Sequence, residues 1–333
     1  MATGAAASER VHPTPSERAR ALVRGGYDMH VHIDPDFVTR IIDDIGLARR
    51  CVELGLAGFQ MKSHYTSTAE RARTVNAAVP GARALGAIVL NRAVGGINPL
   101  AVEIAAREGA RTVWMPTVNS INEMEEVHSF APGAPMPVWM KFEVSLREAG
   151  VQPEPVAVLD ASGDVSGDAS GDPPGRGLLP AVHDVFTVAA RHQLVLATGH
   201  LARDEIFAVV AGALAAGIND VVVTHPEFPS QNLSIAEQTE LANGGALLER
   251  CFTTPYTGKV TWEHVFAGVR ATGVENNVLS TDLGQVFNPP VEDGLALFAD
   301  KFLEAGFTEE EVHTMAVANT RRLAGEPLAG EPQ

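Results

Sequence analysis

Cysteine, positive charge and long apolar runs are all scarce in this sequence. Only two cysteines occur, Cys51 and Cys251, which argues against a disulfide framework and favours a reducing compartment. A formal net charge of -16 disfavours nucleic acid or an anionic membrane surface as a partner, since either would need a strong basic patch. No apolar run approaches the roughly 20 residues that span a bilayer, and residues 1–20 lack the apolar core of a secretory signal. We therefore expect a cytoplasmic protein.

Apolar, strand-like runs alternate with amphipathic helical stretches along most of the chain. About eight such repeats are typical of an α/β fold, the (β/α)8 barrel of the TIM type. Residues 41–54 and 205–216, for example, have the apolar spacing of crossover helices. The candidate strands end near His32, Lys62, Asn91, Thr117, His200, His225, Thr253 and Asp282. Capping boxes mark three helix starts, at Ser67 with Glu70, Ser234 with Glu237 and Thr308 with Glu311.

Between the fourth and fifth candidate strands, residues 119–179 are too long for an ordinary connection. We expect an inserted β-hairpin here, with a flexible tip at residues 162–176. The insertion is either a tolerated surface excursion or a cap over the barrel mouth. The remaining chain divides into a disordered leader at residues 1–16, a single barrel domain at residues 17–324 and a disordered tail at residues 325–333.

Metal-binding side chains stand at four of the candidate strand ends. His30 and His32 end the first strand, and the alternation of side chains in a strand directs both to the same face. His200, His225 and Asp282 end three later strands. Because all strands of a parallel barrel end on one rim, we expect these five residues to converge. Imidazole and carboxylate suit a divalent cation, with zinc expected and Mn2+, Fe2+ or Co2+ as alternatives.

This set of ligands resembles that of the amidohydrolase superfamily, and the resemblance covers nearly the whole chain. Members of this superfamily have a (β/α)8 barrel. They carry His-x-His on the first strand, single histidines on the fifth and sixth strands, and an aspartate on the eighth. The closing residues 319–323, Asn-Thr-Arg-Arg-Leu, are also similar to the Asn-Pro-Ala-Arg-Leu ending common in the superfamily.

The resemblance implies a metal-dependent hydrolase. A metal-activated water would attack an amide-like, often cyclic, C–N bond, or the ester bond of a lactone or other small molecule. Asp282 would act as general base and then as general acid. His225 would bind a second ion in a binuclear site, or stabilise the oxyanion if the site holds one ion.

One departure from the superfamily pattern concerns the fourth strand. Binuclear members carry a carboxylated lysine or a glutamate there, whereas residues 113–117 read Val-Trp-Met-Pro-Thr, so one ion and two ions both stay open. The second strand ends instead in Lys62, with His64 two residues later. Lys62 is carboxylated and forms a displaced metal bridge, or is a cation that holds a substrate carboxylate or phosphate, or belongs to a structural ion pair.

Further polar residues near the strand ends are candidates for substrate binding, and each has a structural alternative. Arg71 lies one helical turn beyond Lys62 and could complete an anion pocket with it. Asn91 and Arg92 open a glycine-rich turn that either presents backbone amides to a ligand or simply connects a strand to a helix. Glu249, on the seventh candidate strand, either supports the site or is structural. The candidates in this class are Lys62, His64, Arg71, Asn91, Arg92 and Gln285.

Two functions other than hydrolysis stay open at this stage. A decarboxylase or isomerase could use the same ligands with a single ion. A metal-stabilised binding protein could use them without any turnover. The expected partner is a small molecule, with or without a carboxylate or phosphate, and the oligomeric state, including a homo-oligomer, is left open.

Overall fold

The computed structural model describes residues 12–124, 138–151, 153–160 and 177–326. Within these residues, eight parallel strands pair in chain order in one sheet. They are β1 Tyr27–Val31, β2 Gly58–Met61, β3 Arg83–Val89, β4 Ala110–Trp114, β5 Val195–Ala197, β6 Val221–Thr224, β7 Leu247–Cys251 and β8 Asn277–Ser280. Each ends within three residues of its predicted position, and the predicted (β/α)8 barrel is confirmed.

Backbone hydrogen bonds between β1 and the end of β8 close the sheet into a barrel. The Asp282 N–H donates to the carbonyl of His30 at 2.8 Å, and the His32 N–H donates to the carbonyl of Leu283 at 2.8 Å. Leu283 also forms a parallel bridge with Val31. Both bonds lie at the carboxyl ends of the strands, so closure sets the ends of the first and last strands side by side.

Helices cover the outside of the barrel. In the described residues they are α1 Glu17–Leu22, α2 Asp44–Leu54, α3 Ala69–Ala78, α4 Pro99–Arg107, α5 Val138–Glu148, α6 Pro180–Arg191, α7 Arg203–Ala215, α8 Ile235–Asn243, α9 Thr253–Tyr256, α10 Trp262–Thr272, α11 Gly294–Glu304, α12 Glu309–His313 and α13 Asn319–Leu323. Among them, none combines the length and the apolar composition that crossing a bilayer requires.

Two of the three predicted capping boxes form, those that begin at Ser234 and Thr308. The prediction at Ser67 is wrong, because α3 starts one residue later and has Thr68 as its N-cap. The Thr68 hydroxyl donates to the carbonyls of Met61 and Ala87 instead of capping the helix. It thereby ties the start of α3 to β2 and β3.

The core has an inner and an outer layer. Side chains such as Met29, Leu85 and Trp114 fill the interior of the barrel. Two larger clusters lie between the strands and the helices, and Val31 belongs to one of them. The side chains that fill the interior place the candidate site above the carboxyl ends of the strands, as in other parallel barrels.

The insertion between β4 and α6 is described in part. An antiparallel bridge joins Leu159 to Leu178, and Val156 forms a bridge with Ser120. This short pairing is the predicted hairpin, while α5 is a helix that the sequence did not predict. The predicted flexible tip lies outside the described residues, as do most of the leader and the tail. The division into leader, domain and tail stays a prediction.

A buried ion pair joins β7 to the segment after β6. Arg250 donates from Nη1 to Glu227 Oε2 at 2.8 Å and to Gln238 Oε1 at 2.7 Å. Its Nε donates to Asn277 Oδ1 at 2.7 Å. The side chains of Arg250 and Glu227 are both 0% exposed. One guanidinium group therefore joins the segment after β6, α8 and β8.

We expect Arg250→Met to lower the free energy of unfolding by about 3–5 kcal/mol, because it leaves the Glu227 carboxylate buried without its cation. Lys301→Met is the matched control, since Lys301 pairs with Glu304 on an exposed helix face. The control should cost less than about 1 kcal/mol. Urea denaturation followed by circular dichroism measures both. Equal, small losses in the two variants would contradict the prediction.

Candidate metal centre

The predicted metal ligands converge above the strand ends. The ring centres of His30 and His32 are 5.3 Å apart, and those of His200 and His225 are 4.9 Å apart. The two pairs meet where His30 lies 6.3 Å from His225. Asp282 completes the group, with its carboxylate 3.2 Å from the His32 ring. The structure thus brings all five predicted ligands to one place.

A bulge in β1 directs both histidines of the His-x-His into the barrel. The pairing of β1 with β2 shifts register between Asp28 and Val31. Met29 belongs to the interior cluster, and the next side chain, His30, also faces inward against Trp114 at 4.8 Å. Simple alternation from Met29 would have sent His30 outward. Such bulges commonly re-aim side chains near functional sites.

Three ligand atoms are spaced as one metal ion would require. Oδ1 of Asp282 lies 3.4 Å from Nε2 of His30 and 3.2 Å from Nε2 of His32. All three atoms lie within 4.8 Å of one another. Ligand atoms bonded to a tetrahedral zinc at about 2.0–2.2 Å are roughly 3.3–3.6 Å apart. These residues therefore fit a metal, while the second oxygen of Asp282 accepts a hydrogen bond from Thr253 at 3.0 Å.

The electrostatics of the histidines also suit a metal. Burial lowers the pKa of His32 to about 3 and holds the pKa values of His30 and His225 well below the usual range. These imidazoles are therefore neutral and keep lone pairs for a cation. Nδ1 of His32 and Nδ1 of His225 are buried without a hydrogen-bond partner among the described residues. Burial would raise the pKa of Asp282, but His30 and His32 lower it well below the usual range.

Unusual backbone geometry holds the ends of β6 and β8. His225 and Asp282 have φ angles of 28° and 54°, a left-handed conformation that non-glycine residues rarely adopt. Gly284 has φ 136°, and a Cβ at this position would lie 1.6 Å from the carbonyl oxygen of His32. Glycine is thus required for the close approach that keeps Asp282 beside β1. Strain of this kind concentrates at functional sites.

Lys62 reaches the centre from β2. Its Nζ lies 3.0 Å from Nε2 of His30 and 4.1 Å from the ring centre of Trp114. Burial lowers the pKa of the Lys62 ammonium, against the opposing effects of Asp282 and Glu249. In the described part of the chain, no carboxylate oxygen lies within 4.0 Å of Nζ, the distance that an ion pair requires. The structural ion pair considered for Lys62 is therefore not formed.

Glu249 on β7 supports His30 from below. Its carboxylate lies 3.3 Å from Nδ1 of His30, the ring nitrogen that faces away from Asp282. Cys251 is the other neighbour of that nitrogen, with its Sγ at 3.7 Å. Burial raises the pKa of Glu249, and Lys62 opposes the rise. A carboxylate behind a ligating histidine fixes the orientation and tautomer of the ring.

Glu123 is a site residue that the sequence did not predict. Its side chain is buried, and Oε1 lies 3.2 Å from Nδ1 of His200 and accepts a hydrogen bond from Ser230 at 2.5 Å. Burial alone would raise the pKa of Glu123, but His200 and Ser230 lower it. Ser120 caps the short helical segment 121–124 by accepting from the Glu123 N–H at 3.1 Å. The only signal in the sequence is this Ser-x-x-Glu pattern, which by itself predicts a helix cap.

Two of the remaining candidates face the centre. His64 packs its ring 4.9 Å from that of His32, and its Nδ1 pairs with the Thr117 hydroxyl at 2.8 Å. Gln285 lines the cavity and donates to the carbonyl of Asp282 at 3.0 Å. His64 and Gln285 are therefore placed to touch a substrate.

The other three candidates are engaged elsewhere. Arg71 donates to the Asp44 carboxylate at 3.3 Å and does not form an anion pocket with Lys62. Asn91 is fully buried and donates to the Thr117 hydroxyl at 2.7 Å. Arg92 donates at 2.7 Å to the carbonyls of residues 154 and 155 in the insertion. Protein groups hold these three side chains and none of them lines the cavity, so their part in substrate binding stays a prediction.

A cavity of about 520 Å³ opens above these residues. The side chains Val38, Met140, Phe228 and Phe287 give it apolar walls, and Arg40 and Lys259 are cations on its lining. Met140 belongs to α5, so the insertion contributes to the wall, as a cap would. Its size suits a small organic molecule.

Known proteins include a family whose model matches most of this chain and solved structures that share its fold. A model of a family of unknown function, DUF6282, matches residues 25–249, more than half of the chain. The chain belongs to this family. The DUF6282 match includes His30, His32, His200 and His225, whereas Asp282 lies beyond its end. No curated protein matches the sequence.

Solved structures share the fold of this DUF6282 member at low sequence identity. An amidohydrolase from Pseudomonas aeruginosa is 13% identical, with a TM-score of 0.59 over 92% of this chain and 99% of that one. A probable dipeptidase, PvdM, from the same organism is 11% identical, with a TM-score of 0.56 over 93% and 97%. A putative 2-pyrone-4,6-dicarboxylic acid hydrolase from Pseudomonas putida is 14% identical, with a TM-score of 0.52 over 91% and 98%. At the level of the fold, the predicted resemblance to the amidohydrolase superfamily is confirmed.

We expect Glu123→Gln to weaken zinc binding about 10- to 100-fold, because the carboxylate behind His200 is lost while the shape of the side chain is kept. Titration calorimetry of metal-free protein with zinc measures the dissociation constant and the number of ions. The count of ions should not change, since Glu123 is expected to support a ligand rather than to be one.

Glu143→Gln is the matched control for this prediction. Glu143 is also buried, but it accepts a hydrogen bond from Tyr65 at 3.2 Å, and none of the described histidines is among its partners. Its variant should bind zinc as the wild type does. Loss of one ion in Glu123→Gln would make Glu123 a ligand, and an unchanged dissociation constant would make its role structural.

Proposed function

We propose that this DUF6282 protein is a metal-dependent hydrolase of small molecules that cleaves an amide-like C–N bond, cyclic or linear, or the ester bond of a lactone or related compound. The convergence of His30, His32 and Asp282 at ligand spacing carries this proposal. His200 and His225 stand next to them and offer further ligand atoms. The amidohydrolase-type barrel supports the reaction class but not a particular substrate.

The residues that would hold the ion are His30, His32 and Asp282, with His200 and His225 available for the same ion or a second one. Zinc, the count of ions and a cytoplasmic location remain predictions. When bound, a divalent ion would lower the pKa of a water molecule and polarise a carbonyl group. The protein supplies neutral imidazoles, because burial keeps their pKa values low.

Asp282 is the group placed to move a proton. Its carboxylate is 18% exposed and lines the cavity, whereas the ring of His30 beneath it is 1% exposed. The Thr253 hydroxyl donates to Oδ2 at 3.0 Å and fixes the orientation of the carboxylate. Asp282 can therefore accept a proton from the attacking water and return it to the leaving nitrogen or oxygen.

We expect His225 and Lys62 to act on charged groups of the reaction. His225 lines the cavity and would bind a second ion or donate to the developing oxyanion. Lys62 would act as a carbamate ligand or as a cation for a substrate carboxylate. A carbamate carbon signal in the 13C NMR spectrum of the intact protein under 13C-labelled carbon dioxide, absent from Lys62→Met, would favour the carbamate.

A decarboxylase with a single ion is the second candidate. It is favoured by one observation: the two groups of three possible ligands in the described residues share His30, which suits one ion better than two. A decarboxylase releases carbon dioxide from a carboxylate substrate, whereas hydrolysis of an ester or a simple amide does not. Measuring the carbon dioxide evolved therefore separates the two functions.

We expect Asp282→Asn to lower kcat about 10²- to 10⁴-fold, because the amide cannot accept a proton. The measurement is the initial rate of phenol release from phenyl butyrate by zinc-loaded protein. Asp204→Asn is the matched control, since the Asp204 side chain is 82% exposed and pairs with Arg203 on the surface. Metal content measured by mass spectrometry must be equal in all three proteins. Unchanged kcat in Asp282→Asn at equal metal content would rule out the proposed role.

A further inference from the structure

Lys259 is a charged group of the cavity that the proposed mechanism leaves unused. It lies in the connection from α9 to α10 and lines the cavity. The chain has a net charge of -16 and only four lysines, and Lys301 is paired with Glu304. In contrast, none of the described carboxylates lies within 4.0 Å of Lys259 Nζ. An acidic protein thus keeps beside its candidate site a cation that pairs with no carboxylate of the described residues.

One aromatic ring separates Lys259 from the metal centre. Its Nζ lies 4.9 Å from the ring centre of Phe228, and that ring lies 4.8 Å from the ring of His225. Nζ also donates to the Thr257 hydroxyl at 3.2 Å. The cation–π contact and this hydrogen bond hold the ammonium group at the side of the cavity. A small molecule at His225 would reach Lys259 along the face of Phe228.

The other cations of the cavity are less available. Arg40 is held by Asp36, which accepts from Nε at 2.8 Å and from Nη2 at 2.6 Å. Lys62 is buried against His30 and Trp114. Of the described cations that line the cavity, Lys259 is therefore the one that can bind an anion without first losing a protein partner.

We propose that Lys259, positioned by Thr257, forms an anion subsite that selects substrates with an apolar body and a single carboxylate. The Thr257 hydroxyl donates to the carbonyl of Thr253 at 2.6 Å, so it holds Nζ in place and leaves the anion to the ammonium group. One ammonium group matches a carboxylate, whereas phosphate sites commonly use several cations or the fork of an arginine. The apolar walls at Val38, Met140 and Phe287 take the body of the substrate. This inference rests on the proposed hydrolase function and names its substrate class.

The test compares two activated esters of nearly equal size with zinc-loaded protein. Monophenyl glutarate carries a carboxylate, and phenyl methyl glutarate is its neutral counterpart. The wild type should prefer the acid, and Lys259→Met should lower this preference, the ratio of the two kcat/KM values, about tenfold. Most of the loss should appear in the KM of the acid, since Lys259 is proposed to bind the carboxylate and not the bond that is cleaved. Lys301→Met is the matched control and should keep the wild-type ratio.

Two results in this assay would overturn the inference while leaving the hydrolase function in place. One is wild-type preference for the neutral ester. The other is the same ratio in Lys259→Met as in the wild type.

If neither ester is cleaved, the proposed function fails for these probes, and binding still tests the subsite. Titration calorimetry of the zinc-loaded protein with glutarate should then give a dissociation constant about tenfold weaker for Lys259→Met than for the wild type. Equal dissociation constants, or no binding of glutarate by the wild type, would overturn the inference.

Discussion

The closure of the barrel between β1 and β8 is the constraint on which the candidate site depends. The same backbone groups that close the barrel belong to ligand residues, because the Asp282 N–H donates to His30 and the His32 N–H donates to Leu283. Closing the sheet therefore also sets His30, His32 and Asp282 of the candidate site side by side. Gly284 allows it, since no other residue could lie so close to the His32 carbonyl. A chain that failed to close would lose Asp282 from the site.

The ligands are held by polar groups drawn from neighbouring parts of the barrel. Glu249 of β7 stands behind His30, and Glu123 of the segment after β4 stands behind His200. Each carboxylate is buried, which is costly unless a partner offsets the loss of hydration. Both groups face ring nitrogens of histidines, an arrangement that would fix the orientation of the rings if they bind a metal.

Much of the fold, and the convergence of the residues of the candidate site, could be predicted from the sequence. Apolar runs and helical spacing are local patterns, so all eight strand ends were found within three residues. His30, His200 and Asp282 were predictable because the end of a parallel strand fixes the rim on which a side chain stands. Glu123 was not predictable, because its partners His200 and Ser230 are 77 and 107 residues away in the chain.

The sequence by itself determined the order of the strands, the residue types at their ends and the acidic surface. Tertiary structure decided which polar groups are free: Arg71 and Arg40 are bound by carboxylates, whereas Lys259 is not bound by any described one. It also turned His30 inward through a bulge that no local pattern predicts. The physical reason is that the spacing of apolar residues shows which face of a helix or strand is buried. Strand pairing and register depend instead on contacts between distant segments.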